Sequence, residues 1–294
     1  MAFRLELPDM DDPYAMADWL EIVMFLTKLQ QTSRAQLIDR MIAENGSTSQ
    51  ELEVPMGLLF QEIGRRRRIA GRAYPLEVDN TLIKIDPDSN SEFYKFLLLI
   101  SLEKSPLRKG KRYKEIDEIF DKVVCAAAIN YLGEGAKAIR FGSPPSDGRP
   151  TDFRKAVEWL SEKTGVPLGS GSFSPKNKDG GVDVVAWKPF ADHKTGFILT
   201  LIQCTVQLNW FPKGKDIVDH VWLAKLDTGR PIITSLAIPF VIHKNYEKWD
   251  DLRRTVNVIF DRLRLAQVLA HCDYSAFTKM VRWNYKEMKK FSLS

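Results

Sequence analysis

Apolar residues recur at helical spacing over the first part of the chain. In AMADWLEIVMFLTKL (15–29), Met16, Trp19, Leu20, Val23 and Leu26 mark one face, and RAQLIDRMIAENG (34–46) predicts a second helix stopped by Asn45 and Gly46. LEVDNTLIKID (76–86) reads as extended, and a helix is expected from Ser91 to Glu103. The composition then shifts. KSPLRKGKRYKE (104–115) is a basic loop with Pro and Gly, and a domain boundary is placed there. This gives a mainly helical N-terminal region over 1–110, suited to docking a partner or sensing, and a second domain over 111–294.

The second part opens on a helix from Glu115 to Gly133, with Ile116, Ile119, Phe120, Val123 and Val124 as its apolar face. After the loop FGSPPSDGRP comes a helix over 151–165, with Thr151 or Asp152 as N-cap, Phe153, Val157 and Leu160 buried, and Gly165 as its stop. GGVDVVAWKPF and FILTLIQCTVQLNW (197–210) are joined by the turn ADHKTG and read as neighbouring antiparallel strands. PIITSLAIPFVI (231–242) supplies another strand.

Strand alternation places Asp183 on one face with Val185 and Trp187, and Leu199, Leu201, Gln203, Thr205 and Gln207 together on the next strand. Asp is depleted in strands, and a buried carboxylate without a partner is costly. If the strands pair across the turn, Asp183 and Gln203 lie side by side, each able to offer an oxygen to a hard cation.

Composition adds limits. With 44% apolar residues the chain can bury a real core, and its 43 Lys and Arg against 38 Asp and Glu permit polyanion binding without requiring it. Cys125, Cys204 and Cys272 are widely spaced in apolar context, which fits reduced thiols and a cytoplasmic protein. Alternation turns Cys204 away from Gln203 and into the core. No signal peptide or membrane segment is expected, since FYKFLLLISL is too short to span a bilayer.

A helix followed by GGVDVVAW and a hydrophobic strand ending in IQCT resembles the PD-(D/E)XK nuclease superfamily, the fold of restriction endonucleases. DVVAW, QC, NW and the later DRLRL are similar to a group of bacterial proteins associated with phage defence. The resemblance covers roughly residues 115 to 265 and is strongest over 179–213. It implies an α/β (α+β) domain with a mixed sheet flanked by helices, and a metal-dependent DNA endonuclease or nuclease subunit working with Mg2+ or Mn2+. Asp183 and Gln203 would be metal ligands. The acidic residue that such families supply from the preceding helix maps onto Glu158 or Glu162, with Asp121 and Glu118 on the earlier helix as second choice. The position two after Gln203, usually Lys, is Thr205. Lys213, ahead of Lys215 and Lys188, is the candidate to act at the phosphate instead. DNA, and protein partners of a defence complex or a second copy of the chain, are the implied partners.

The alternative is a catalytically silent nuclease fold serving as a DNA-binding or assembly module, which the missing Lys motivates. RRRR (65–68) and the Arg262 and Arg264 of DRLRL either contact phosphate or belong to the protein's own surface and core. Trp187 and Trp210 either stack on bases or are buried. The four His show no metal-ligand spacing.

Overall fold

The computed structural model describes residues 6–103, 111–173 and 179–272. Most of the basic loop that begins at 104, and the basic aromatic tail after 272, lie outside them. The described residues form two compact units, 6–103 with 262–272, and 111–261.

In the first unit, α1 (Pro13–Thr27) starts where the Asp12 side chain accepts hydrogen bonds from the Tyr14 and Ala15 amides. β1 (Gln31–Ser33) leads into α2 (Arg34–Asn45), which Ser33 and Gln36 cap reciprocally and Gly46 ends at a φ of 75°. A long helix α3 (Ser49–Ala70), capped by Thr48 and Glu51, precedes the hairpin of β2 (Leu76–Val78) and β3 (Leu82–Ile85). β3 lies between β1 and β2, antiparallel to both, and α4 (Glu92–Ser101) follows.

The second unit is a five-stranded mixed sheet flanked by helices. Its elements are α5 (Lys111–Leu132), β4 (Lys137–Arg140), α6 (Phe153–Thr164), β5 (Val184–Trp187), β6 (Leu199–Cys204), α7 (Asp219–Leu223), β7 (Ile233–Ala237), α8 (Trp249–Thr255) and β8 (Val258–Phe260). Strands run in the order β4-β5-β6-β7-β8. The first three are antiparallel, and β6-β7 and β7-β8 are parallel. The mixed sheet, the helical N-terminal region and the antiparallel β5-β6 pair are as the sequence reading expects.

Every residue of β5 and β6 is buried, so both faces of the central strands are covered. Phe153, Ala156, Val157 and Leu160 of α6 pack with Val185, Trp187, Leu199 and Leu201 on one face. α5 lies against β4, β5 and β6. Alternation points Val184, Ala186 and Ile202 to the face opposite α6.

The last described helix, α9 (Arg262–Leu269), packs on α3 and α4. The sequence reading keeps it with the stretch from 111 onward; its buried Leu263, Leu265, Ala266 and Leu269 join the first unit's core instead. Of the arginines singled out in the sequence, Arg66 and Arg262 are buried in this core, while Arg68 and Arg264 are exposed. Arg66 is fully buried and donates to Asp18, Glu21 and Glu62, while Arg262 grips Asp18 with two hydrogen bonds of 2.7 and 2.9 Å. Arg65 pairs with Glu62, and Arg67 with Asp86. Among the described residues no helix is long and apolar enough to cross a membrane.

Candidate metal-binding site at the head of the central strands

Asp183 stands in a bend one residue before β5, and the glycines ahead of it fix its position. Gly180 and Gly181 have φ values of 64° and 78°, which favour glycine. A Cβ on Gly181 would come within 2.4 Å of the Asp216 carbonyl oxygen, so the turn packs backbone to backbone on the chain after β6. Trp222 Nε1 donates to the Gly180 carbonyl at 3.0 Å. The Asp183 amide donates to Ile202 at 3.0 Å, and its carbonyl accepts from Phe141 and Gly142 at 2.6 and 2.9 Å. The main chain here is therefore held from both neighbouring strands.

The carboxylate is held as firmly. Asp183 Oδ2 accepts hydrogen bonds from Gln203 Nε2 at 2.8 Å and from the Cys204 amide at 2.7 Å. Because the bend takes Asp183 out of strand alternation, the same side chain reaches both Gln203 and the thiol of Cys204. Asp121, projecting from α5, completes the group. Carboxylate oxygens of Asp121 and Asp183 and the Cys204 Sγ all lie within 4.8 Å of one another. Gly142 closes this space: a Cβ there would stand 2.9 Å from Asp183 Oδ1 and 3.5 Å from Asp121 Oδ2.

One cation balances the two acids directly. Arg140, at the end of β4 and 5% exposed, donates from Nε to Asp121 Oδ2 at 2.8 Å. Its Nη1 donates to the Pro144 carbonyl and to Ser146 Oγ, tying in the loop that carries Gly142. Arg149, farther along that loop, is buried with its guanidinium 4.4 Å above the Phe141 ring.

Burial dominates the electrostatics. It lifts Asp121 from the ordinary carboxylate value to about 6, against the pull of Arg140. It lifts Asp183 well above that ordinary value too, reinforced by the charge of Asp121 and opposed by the Cys204 amide. Burial and the two carboxylates hold the Cys204 thiol well above its usual range, and burial with Asp121 pushes Cys125 up to about 12. Two desolvated acids and a neutral thiol thus share one counter-charge, which favours uptake of a proton or a cation.

The two carboxylates of the group suit a small hard cation. Mg2+ is commonly held by one or two carboxylates, with water and phosphate oxygens completing its shell. Gln203 is placed differently from the sequence expectation of an oxygen ligand. Its amide nitrogen donates both to Asp183 and, at 2.9 Å, to the Cys204 carbonyl, so it presents hydrogens to the carboxylate.

The structure brings Asp183 and Gln203 together and sets the other sequence candidates apart from the group. Glu158 pairs with Arg154 on the partly exposed side of α6, and Glu162 is exposed one turn later. Neither belongs to the acid and thiol group that Asp121 completes. Lys213 lies in the 3-10 turn Phe211–Lys215, where its Nζ donates to Asp216 at 3.0 Å. Lys188 donates to the Leu132 carbonyl at the end of α5. Trp187 is 3% exposed in the core, and Trp210 sits in a half-buried cluster with Phe211 and Tyr246.

Sequence reasoning missed Arg140 and Gly142 and ranked Asp121 second. One signal was present: Asp121 follows Phe120 and precedes Val124 by three, which places an acid on the buried side of α5.

No protein-family model matches the chain, and no curated protein matches its sequence. Among solved structures, the restriction endonuclease FokI matches at a TM-score of 0.22 and 10% identity, over 96% of this chain and 48% of its own. The chain spans about half the length of that protein.

Proposed function

We propose that the second unit is a metal-dependent nuclease of the restriction-endonuclease-like kind, hydrolysing phosphodiester bonds in DNA with Mg2+ or Mn2+. The observation that supports it is the meeting of Asp121, a buried carboxylate, and Asp183, a half-buried one, from separate elements at the head of the central strands. A divalent cation bound there would polarise the phosphate and lower the pKa of the attacking water. Asp121 and Asp183 hold the cation. Gln203 and the Cys204 amide orient Asp183 by occupying Oδ2, which leaves Oδ1 turned to Gly142 and Asp121. Arg140 holds Asp121 in place. Asp121 takes the part that the sequence resemblance gives to Glu158 or Glu162. A role in bacterial antiviral defence, with DNA and partner proteins in the cytoplasm, goes with this reading and rests on the sequence resemblance alone.

The test is cleavage of plasmid and linear DNA in Mg2+ and in Mn2+. Asp183→Ala and Asp121→Ala should each lower the rate at least about a hundredfold, the scale on which such groups act in catalysis. Equal activity in both variants removes this site from the reaction.

A second reading, the silent DNA-binding or assembly module, is favoured by one specific feature. Thr205 occupies the usual Lys position, and the ammonium of Lys213 is bonded to Asp216. Salt-dependent DNA binding with no cleavage in either metal would select this module.

A further inference from the structure

The nuclease reading uses two carboxylates; the third ligand atom of the group, the Cys204 thiol, is left without a part in it. We infer that Asp121, Asp183 and Cys204 together form a thiophilic site that takes Zn2+, and that zinc held there displaces the hard cation. The displacement rests on the nuclease reading, whereas the zinc binding does not.

Three observations lead to this. The donors come from three separate segments, α5, the bend before β5 and the end of β6, and their ligand atoms lie within 4.8 Å of one another. Donors around a tetrahedral zinc stand about 3.5 Å apart, given bonds of roughly 2.0–2.3 Å to oxygen and sulfur, so closure asks for shifts on the order of an ångström. Second, the ligand atoms are directed. The hydrogen bonds from Gln203 and the Cys204 amide to the Asp183 carboxylate fall on Oδ2, and Oδ1 faces the same small space as Asp121 Oδ2, which Arg140 Nε also holds, over the bare Cα of Gly142.

Third, the charges close. On binding, the Cys204 S–H bond breaks, its proton leaves to solvent and the sulfur lone pair goes to the metal. Among the three donors, the dication and Arg140 the charges then sum to zero, with Asp117 and Asp179 as further acids bearing on Asp121 and Asp183. With a hard dication and a protonated thiol, the same groups carry one more positive charge than with zinc and the thiolate. Three protein donors leave a fourth position for water, as in open zinc sites.

Cobalt is the probe, used with the full chain. In wild type, Co2+ should develop a thiolate-to-cobalt charge-transfer band that saturates at one ion per chain and is bleached by Zn2+. Cys204→Ser should abolish the band and lower Zn2+ affinity at least ~10-fold, whereas Cys125→Ser and Cys272→Ser should keep the band. Asp183→Asn, which preserves shape, should weaken Co2+ binding while keeping the helical circular dichroism, and it guards against misfolding of the Cys204 variant. Saturation without a thiolate band, a band that survives Cys204→Ser, or no saturable Co2+ binding would overturn the zinc site. A band in a protein that never cleaves DNA removes the nuclease reading and leaves the site standing. Mg2+-dependent cleavage that Zn2+ does not inhibit removes the displacement.

Discussion

Asp121 lies 5% exposed against Arg140, and the balance between burial and that ion pair sets how it titrates. Its folded value of about 6 exceeds the unfolded 3.8, so in metal-free protein it binds a proton more readily folded than unfolded. Its contribution to stability is therefore full below about pH 4 and is lost as the pH rises to about 6, a change on the order of 3 kcal/mol. Asp121→Asn should flatten this part of the curve of urea-denaturation stability against pH. Asp183 is raised in the same direction and keeps part of the slope. An unchanged curve would show that Asp121 is not the group responsible. Gly142→Ala adds a Cβ 2.9 Å from Asp183 Oδ1 and 3.3 Å from its Cα, a clash that the pinned backbone cannot relieve cheaply. A loss of about 1–3 kcal/mol in urea and weaker Mn2+ binding by calorimetry are expected; an alanine variant equal to wild type in both would mean that the space is not filled. At this scale the sequence made Asp183 and its neighbour Gln203 legible, because register follows from the turn and the alternating pattern. It hid the amide orientation of Gln203 and the approach of Asp121, which depend on a bend and on how α5 lies across the sheet.

Helices α1, α3 and α9 meet through charge as well as through apolar contact. Asp18 is brought down to about 2 because Arg262 and Arg66 outweigh the effect of its burial, and Glu21 is raised mainly by burial while accepting from Arg66, Tyr74 and Tyr94. Removing one member of such a network leaves charges buried without their partner. Asp18→Ala should lower stability by about 3–5 kcal/mol, since it strips both Arg66 and Arg262 of a carboxylate. Urea denaturation measures this directly, and a loss below about 1 kcal/mol would show that solvent reaches these guanidinium groups. The elements most legible in the sequence were those with a cap, a stripe and a stop in one segment. α6 carries Asp152, then Phe153, Val157 and Leu160, then Gly165, and α2 ends at Gly46. α3 escaped notice although Thr48 and Glu51 form a capping box, because Pro55 and the run of four arginines interrupt its pattern. β4 and β8, with four and three residues, are too short to show alternation and exist through their pairing in the sheet.

The path of the chain makes the first unit discontinuous, with α9 returning to it after the whole of the second. α9 contributes Leu263, Leu265, Ala266 and Leu269 to that core, together with the Arg262 that binds Asp18 and Ser101 Oγ. The second unit closes its sheet at β8, which ends at Phe260, so its pairing is complete before α9 begins. A chain stopped after Asp261 thus keeps every strand of the five-stranded sheet and loses a face of the first core. Burying the four apolar side chains contributes several kcal/mol, about 1.5–3 for each large one, a sizeable fraction of the stability of a domain of this size. Hydrogen exchange separates the two halves of the molecule. In the shortened chain, protection should fall in α1, α3 and α4 and persist in β5, β6 and β7. Equal protection in α1, α3 and α4 would show that the N-terminal helices hold together without α9, and collapse of β5–β7 as well would show that the two units fold as one cooperative body.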